Sequence, residues 1–136
     1  SGVLELEDST ISGASGHGLA VIDGGSAQLA QCDISKSGWD GVAVKGENSR
    51  ATLENVSLRE NLHHGVDFWE GGSGEITSCQ FLKNGRSGMV VLAPDTKVSI
   101  SSCRSEGNRE VGLFFSRIPE LFIEKCEVSG NLLGGI

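Results

Sequence analysis

The chain has 136 residues, of which eleven are basic and eighteen are acidic, so its formal net charge at pH 7 is -7. Binding to nucleic acid depends on clustered positive charge, which this composition lacks, and we expect no nucleic-acid partner. No apolar stretch approaches the roughly 20 residues that cross a bilayer, so we expect no membrane partner either.

A glycine followed by a hydrophobic residue returns every 23 or 24 residues along the chain. These glycines are Gly18, Gly41, Gly65, Gly88, Gly112 and Gly135. A fixed period of this length indicates a repeat architecture, in which each repeat is one structural unit stacked on the next. Because the period runs through the whole chain, we interpret residues 1–136 as one repeat domain, excerpted from a longer protein.

Within each repeat, three short segments carry apolar residues at alternate positions, which is the pattern of half-buried β-strands. The first segment contributes the column Leu6, Leu29, Leu53, Ile76, Ile100 and Ile123. The second contributes Ile11, Ile34, Leu58, Phe81, Ser105 and Val128, and the third contributes Val21, Val44, Phe68, Val91 and Phe115. All three apolar faces close inward only if the chain coils and stacks. We therefore predict an all-β parallel solenoid of about six coils with 23–24 residues each.

Two corners of the predicted coil have recognisable turn chemistry. The corner after the third strand varies in length by one residue and is rich in turn formers, as in the Asp-Gly-Gly-Ser of residues 23–26. The corner between the second and third strands carries the column Asn61, Asn84, Asn108 and Asn131. Asparagine tolerates the left-handed backbone region, and its amide can bond to the copies above and below. We therefore predict an asparagine ladder that forms this corner.

The pattern Leu-x-x-Val-x-Leu-x-x-Asn-x-x-x-Gly-Val of residues 53–66 recurs in residues 123–136 as Ile-x-x-Cys-x-Val-x-x-Asn-x-x-x-Gly-Ile. It resembles the repeat of the right-handed parallel β-helix family, also called pectin-lyase-like, and the resemblance covers the whole chain. It implies a right-handed single-stranded β-helix. It implies less about function, because that family contains polysaccharide lyases, hydrolases and epimerases, phage tailspikes and non-catalytic recognition modules. A leucine-rich repeat fits the opening of the pattern too, but the second half lacks the leucines that would pack its convex side.

The four cysteines, Cys32, Cys79, Cys103 and Cys126, occupy a single column. In stacked coils their side chains would point inward and lie parallel, an orientation that does not suit a disulfide. Without paired spacing or an accompanying histidine, they do not suit zinc either. We therefore predict free, buried thiols, and the sequence as a whole predicts no metal site and no cofactor.

The most unusual outward-facing residues lie in the second and third coils. The residue before the repeat glycine is His17, then Asp40, then His64, so an acid stands between two imidazoles at a spacing of about 5 Å. Such a group could hold a proton near neutral pH or bind a metal ion, and exposed tryptophans could stack on sugar rings. The candidate binding residues are Trp39, Asp40, His63, His64, Asp67, Trp69 and Glu70. The alternative is that all of them are ordinary solvated residues on an acidic surface.

Three functions are consistent with this pattern. We favour a non-catalytic β-helix interaction module that presents a flat acidic face to a protein or a polysaccharide, because the short corners provide no walls for a catalytic cleft. The resemblance implies a second hypothesis, a polysaccharide lyase, hydrolase or epimerase. Such an enzyme would use Asp40, His64 and Asp67, which would have to converge on one concave surface. The third hypothesis is a structural spacer or fibre segment, whose exposed terminal strands would favour end-to-end self-association.

Overall fold

The computed structural model describes residues 2–92, 94–117 and 120–136. These residues form seventeen short β-strands. No helix that could cross a membrane occurs among the described residues. In chain order the strands are β1 (Val3–Glu7), β2 (Thr10–Ser12), β3 (Leu19–Val21), β4 (Ser26–Ala30), β5 (Asp33–Ser35), β6 (Val42–Lys45), β7 (Arg50–Glu54), β8 (Ser57–Arg59), β9 (Val66–Trp69), β10 (Ser73–Thr77), β11 (Gln80–Leu82), β12 (Met89–Leu92), β13 (Lys97–Ser101), β14 (Arg104–Glu106), β15 (Leu113–Ser116), β16 (Glu120–Glu124) and β17 (Glu127–Ser129).

Each strand pairs in parallel with the strand three places further along the chain, so the chain winds through three sheets in turn. The first sheet has the order β1-β4-β7-β10-β13-β16, the second β2-β5-β8-β11-β14-β17, and the third β3-β6-β9-β12-β15. The predicted all-β parallel solenoid is therefore confirmed. The predicted count of about six coils is slightly high, because the described residues form five complete three-strand coils and only two strands of the next.

The predicted apolar columns point into the solenoid and lie in register from coil to coil. Leu53 of the first sheet pairs with Leu29 on one side and with Ile76 on the other. Phe81 of the second sheet and Phe68 of the third are both fully buried. Full burial of one such side chain contributes about 1.5–3 kcal/mol relative to exposure. The stacked columns therefore supply the main driving force that closes the three sheets around a common core.

The repeat glycines are required because neighbouring coils approach one another too closely for a side chain. A Cβ atom placed on Gly65 would lie 2.5 Å from the carbonyl oxygen of Gly88. A Cβ atom on Gly88 would lie 2.6 Å from the carbonyl oxygen of Gly112. Backbone atoms cannot move aside without breaking the hydrogen bonds between coils, so only glycine fits here.

The asparagine side chains at the same corner, between the second and third sheets, bond to one another through successive coils. Asn84 Nδ2 donates to Asn108 Oδ1 and to the Leu58 carbonyl, both at 3.0 Å. Asn84 Oδ1 accepts from Asn61, from the side chain at 3.0 Å and from the backbone N–H at 3.2 Å. The same contact joins Asn108 to Asn131 at 2.8 Å. These buried amides are thus hydrogen-bonded on both sides, which is what allows polar groups to lie next to the core.

The expectation that asparagine forms this corner with a left-handed backbone is wrong. Asn61 and Asn84 are not among the residues with positive φ, whereas the residues that precede them are, with φ of 54° at Glu60 and 53° at Lys83. The exposed residue takes the left-handed turn, and this turn directs the following asparagine side chain inward. The asparagine therefore contributes hydrogen bonds to the corner, and its neighbour contributes the bend.

The cysteines are free, as predicted: Cys32, Cys79 and Cys103 are buried and Cys126 is half-buried. The Cys79 backbone N–H donates to Cys103 Sγ at 3.4 Å. The Cys79 thiol in turn lies 3.3 Å from the Thr77 carbonyl, to which it donates. Its hydrogen bond with Cys103, together with burial, raises the pKa of the Cys79 thiol. The same contact lowers the pKa of the Cys103 thiol. Cys79 therefore behaves as a small packed side chain rather than as a reactive thiolate.

Replacement of Asn84 by alanine is expected to destabilise the protein by about 3 kcal/mol, because the buried Asn61 backbone N–H loses its acceptor and the Leu58 carbonyl loses its side-chain donor. The control is Gln80→Ala, an amide on the exposed side of β11, for which we expect a change of less than about 0.5 kcal/mol. Urea unfolding followed by circular dichroism measures the free energy of unfolding of both variants. Equal effects of the two substitutions would contradict a structural role for the asparagine column.

Replacement of Gly88 by alanine is expected to cost about 3 kcal/mol or more, because the added methyl group meets the backbone of the next coil. The matched control is Gly134→Ala, where nothing lies within 4 Å of the added atom. Thermal unfolding of the two variants separates steric conflict from a general effect of glycine replacement. A Gly88→Ala variant as stable as Gly134→Ala would rule out the close approach of the coils.

Candidate functional site

The residues that precede the repeat glycines lie at the corner between the second and third sheets, and the side chains of three of them bond to the next coil. The backbone N–H of His64 donates to Asp40 Oδ1 at 2.9 Å. The N–H of Ser87 donates to His64 Nδ1 at 3.1 Å, and the N–H of Val111 donates to Ser87 Oγ at 3.3 Å. This position therefore favours a side chain that accepts a hydrogen bond, a property that aspartate, neutral histidine and serine share.

Asp40 is the most buried charged residue of this corner, with 4% of its surface exposed. Its Oδ2 atom lies 3.3 Å from His17 Nδ1, although the two groups are not aligned as a hydrogen bond. The His17 ring meets the Trp39 ring edge-on, with centroids 5.0 Å apart and planes at 69°. Trp39 itself is 52% exposed. The indole thus contacts His17 beside the buried carboxylate and still presents much of its surface to solvent.

Asp67 projects from the outer face of the third sheet, between Ala43 on β6 and Val90 on β12. Both neighbours are almost fully buried, yet neither belongs to the inward core, so they are covered from outside. The Oδ1 atom of Asp67 is also buried and has no hydrogen-bond partner among the described residues. Burial, and secondarily the nearby charge of Asp40, raises the pKa of Asp67 to about 7.

Asp40, His64 and Asp67 converge, with one nitrogen or oxygen atom of each lying within 4.8 Å of the others. Burial lowers the pKa of His64, against the opposing effect of the Asp40 carboxylate. Since His64 Nδ1 accepts the Ser87 N–H, the neutral ring carries its proton on Nε2. The Nε2 lone pair is then unavailable to a metal ion. This arrangement suits hydrogen bonding and proton exchange better than metal binding.

The structure places the other candidate residues around this cluster. His63 lies one coil above Trp39 at the same corner, and its backbone N–H donates to the Trp39 carbonyl at 3.1 Å. Trp69 is half-buried at the end of β9, and Glu70 is exposed beside it, 3.7 Å from Lys45 Nζ. In the described part of the chain, no hydrogen bond, ion pair or ring contact links Trp69 or Glu70 to the cluster. Asp40 and His64 therefore meet Asp67 at this corner, whereas Trp69 and Glu70 lie at its margin.

The outer face of the first sheet carries an open groove that was not predicted from the sequence. Its walls include Arg50, Glu75, Lys97, Glu120 and Phe122. Arg50 lies 2.6 Å from Glu75, and Lys97 lies 3.7 Å from Glu120. These opposite charges occur on neighbouring coils, a signal that was present in the sequence. Because each cation here is paired, the groove offers little net attraction to a charged ligand.

Comparison with known proteins places the chain among β-solenoids. The family model described as the right handed beta helix region matches residues 1–136. None of the curated proteins matches the sequence. Among solved structures, the A-module of the mannuronan C-5 epimerase AlgE4 from Azotobacter vinelandii is similar, with a TM-score of 0.63 and 14% sequence identity. The match covers 94% of this chain and 42% of that module, and at this identity it supports the fold alone. Because the family model matches the chain from residue 1 to residue 136, the chain belongs to the right-handed β-helix family.

Proposed function

We propose that this chain is a non-catalytic β-helix module that binds a glycan at the corner between its second and third sheets. The observation that carries the proposal is the half-exposed Trp39 ring beside the converged polar groups of Asp40, His64 and Asp67. A tryptophan offers a large, rigid apolar surface at a low cost in conformational entropy, and neighbouring polar groups fix the orientation of a ligand. Sugar rings have one apolar face and a rim of hydroxyl groups, which match these two features.

The corners support a binding role over a catalytic one because they are short. At the proposed site, only residues 36–41 separate β5 from β6, and only residues 60–65 separate β8 from β9. Such turns provide no long loops to wall a cleft and exclude water from a reacting bond. In addition, Asp40 Oδ1 and His64 Nδ1 already accept backbone hydrogen bonds that hold the coils together. An extended polymer could still lie across this open surface.

The similar solved structure adds limited support for a glycan over a protein partner. Its name describes an epimerase of mannuronan, a polysaccharide, on a solenoid of the same kind. The present chain spans 42% of that module, and the low identity transfers no residue roles. The glycan proposal therefore depends on Trp39 and the polar cluster rather than on this similarity.

A second candidate function, a polysaccharide lyase, hydrolase or epimerase, has one specific observation in its favour. The residues that such an enzyme would use, Asp40, His64 and Asp67, do converge within 4.8 Å. One of the two carboxyl groups has its pKa raised to about 7, and a pair of carboxyl groups in different protonation states is a common acid–base arrangement. The shallow surroundings make this the weaker candidate.

Replacement of Trp39 by alanine is expected to weaken glycan binding about tenfold or more, because it removes an aromatic contact worth on the order of 1.4 kcal/mol. The wild-type module is first screened on a glycan array, and the best ligand is then titrated by calorimetry. Trp69→Ala should have a smaller effect, because Trp69 is half-buried at the margin of the cluster.

The control for this experiment is Phe122→Ala, which removes an exposed aromatic ring from the first sheet. Equal binding by all three variants and the wild type would show that the ligand binds elsewhere. Appearance of cleaved, unsaturated or epimerised sugar during incubation with the bound polysaccharide, with loss of that product in Asp67→Asn, would establish the enzyme candidate instead.

A further inference from the structure

The corner cluster brings a buried carboxyl group and a half-buried one together. Asp40 is 4% exposed, and the Oδ1 atom of Asp67 is buried. One oxygen of each lies within 4.8 Å of the other and of a His64 nitrogen. Two like charges at this distance in a partly desolvated site disfavour one another, so a proton on one of the two carboxyl groups is favoured to a higher pH than for an isolated aspartate.

The surroundings contain little positive charge that would offset a second carboxylate. On the strands packed against β9, the residues that pair with Asp67 are Ala43 and Val90, which do not titrate. Lys45 of β6 is held 3.7 Å from Glu70. The other titratable and charged groups near the cluster are His17, His63, His64, Arg86 and Glu110. Arg86 is the one permanent cation of this set, and Glu110 opposes its effect at His64.

His64 does not become protonated to supply a positive charge that would offset a second carboxylate. Its Nδ1 atom accepts the Ser87 N–H at 3.1 Å, so protonation of that nitrogen would break a bond between coils. Its Nε2 atom already carries the proton of the neutral ring. Within the cluster of Asp40, His64 and Asp67, the remaining site for a proton is a carboxyl oxygen. Asp40 Oδ1 accepts the His64 N–H and Asp40 Oδ2 lies beside His17, whereas Asp67 Oδ1 has no donor among the described residues.

We propose that Asp67 carries a proton at weakly acidic pH because its carboxyl group is buried beside that of Asp40, and that this pair is a pH-sensitive site on the outer face of the third sheet. When the pH rises, the proton passes to bulk water and the face gains one negative charge. The raised pKa of Asp67, about 7, agrees with this geometry. The inference does not depend on whether the module binds a glycan.

The stability of the protein should fall as this proton is lost. An aspartate in the unfolded chain titrates near pH 4. Between that value and the folded-state pKa of about 7, the folded protein holds one proton more than the unfolded chain. Stability therefore decreases with rising pH across this window and the effect is complete above it. The Asp67→Asn variant lacks the carboxyl group, so its stability relative to the wild type should rise from pH 4 to pH 8.

The direct test is a titration of the carboxyl carbons of the intact chain by ¹³C NMR, with the exposed Asp8 as an internal reference. We expect the Asp67 resonance to titrate with a midpoint close to 7 in the wild type. In Asp40→Asn the midpoint should fall, because the neighbouring charge is gone while the amide oxygen still accepts the His64 N–H. These two results, with the stability difference for Asp67→Asn, would support a proton on Asp67 that depends on the neighbouring Asp40 carboxyl group.

Three outcomes would overturn the proposal for Asp67. The first is a wild-type midpoint below about 5, as for an ordinary aspartate, and the second is a midpoint in Asp40→Asn equal to that of the wild type. The third is tight binding of Zn²⁺ at neutral pH that Asp67→Asn abolishes. The last result would mean that the His64 Nε2 lone pair is free and that the cluster binds a cation. Because the titration uses the protein without a ligand, a failure to find a glycan would affect only the proposed function.

Discussion

Each coil must lie close enough to the next for backbone hydrogen bonds to form at the corners as well as along the strands. The N–H of Gly41 donates to the His64 carbonyl at 3.0 Å, and the N–H of Gly65 donates to the Ser87 carbonyl at 3.1 Å. Buried backbone groups must find partners, and in a solenoid the next coil is their main source. This requirement explains why the glycine recurs: a side chain at its position would separate the coils and break these bonds.

The same constraint gives two corner columns a structural function. In one, asparagine amides bond to their own kind, so the residue type repeats from Asn61 to Asn131. In the other, the side chain needs only to accept the N–H of the next coil, so Asp40, His64 and Ser87 all serve. This tolerance is what permits titratable side chains in the second column. Because this position requires only a hydrogen-bond acceptor, it can hold a titratable side chain without a loss of stability.

The chemistry of that corner depends on how the third sheet surrounds it. Ala43 and Val90 flank Asp67 and are themselves covered, so the carboxyl group lies in an apolar setting on an otherwise acidic protein. Burial is the main cause of its raised pKa, and the Asp40 charge adds to it. Trp39 stands at the edge of the same corner and is half exposed. The β-helix fold hosts many functions, so it is this local combination that supports our proposals.

The recurring columns were enough to predict the parallel solenoid, its inward faces and the free cysteines, because a period of 23 or 24 residues with alternating apolar positions has few other solutions. They also placed Asp40 and His64 in one column. They did not show that the left-handed turn falls on Glu60 rather than Asn61, nor that Asp67 meets both residues from a different segment. Backbone dihedral angles and the covering of Ala43 and Val90 arise from contacts between coils. Such contacts join residues more than twenty positions apart, and a pattern of residue types along one chain carries little information about their geometry.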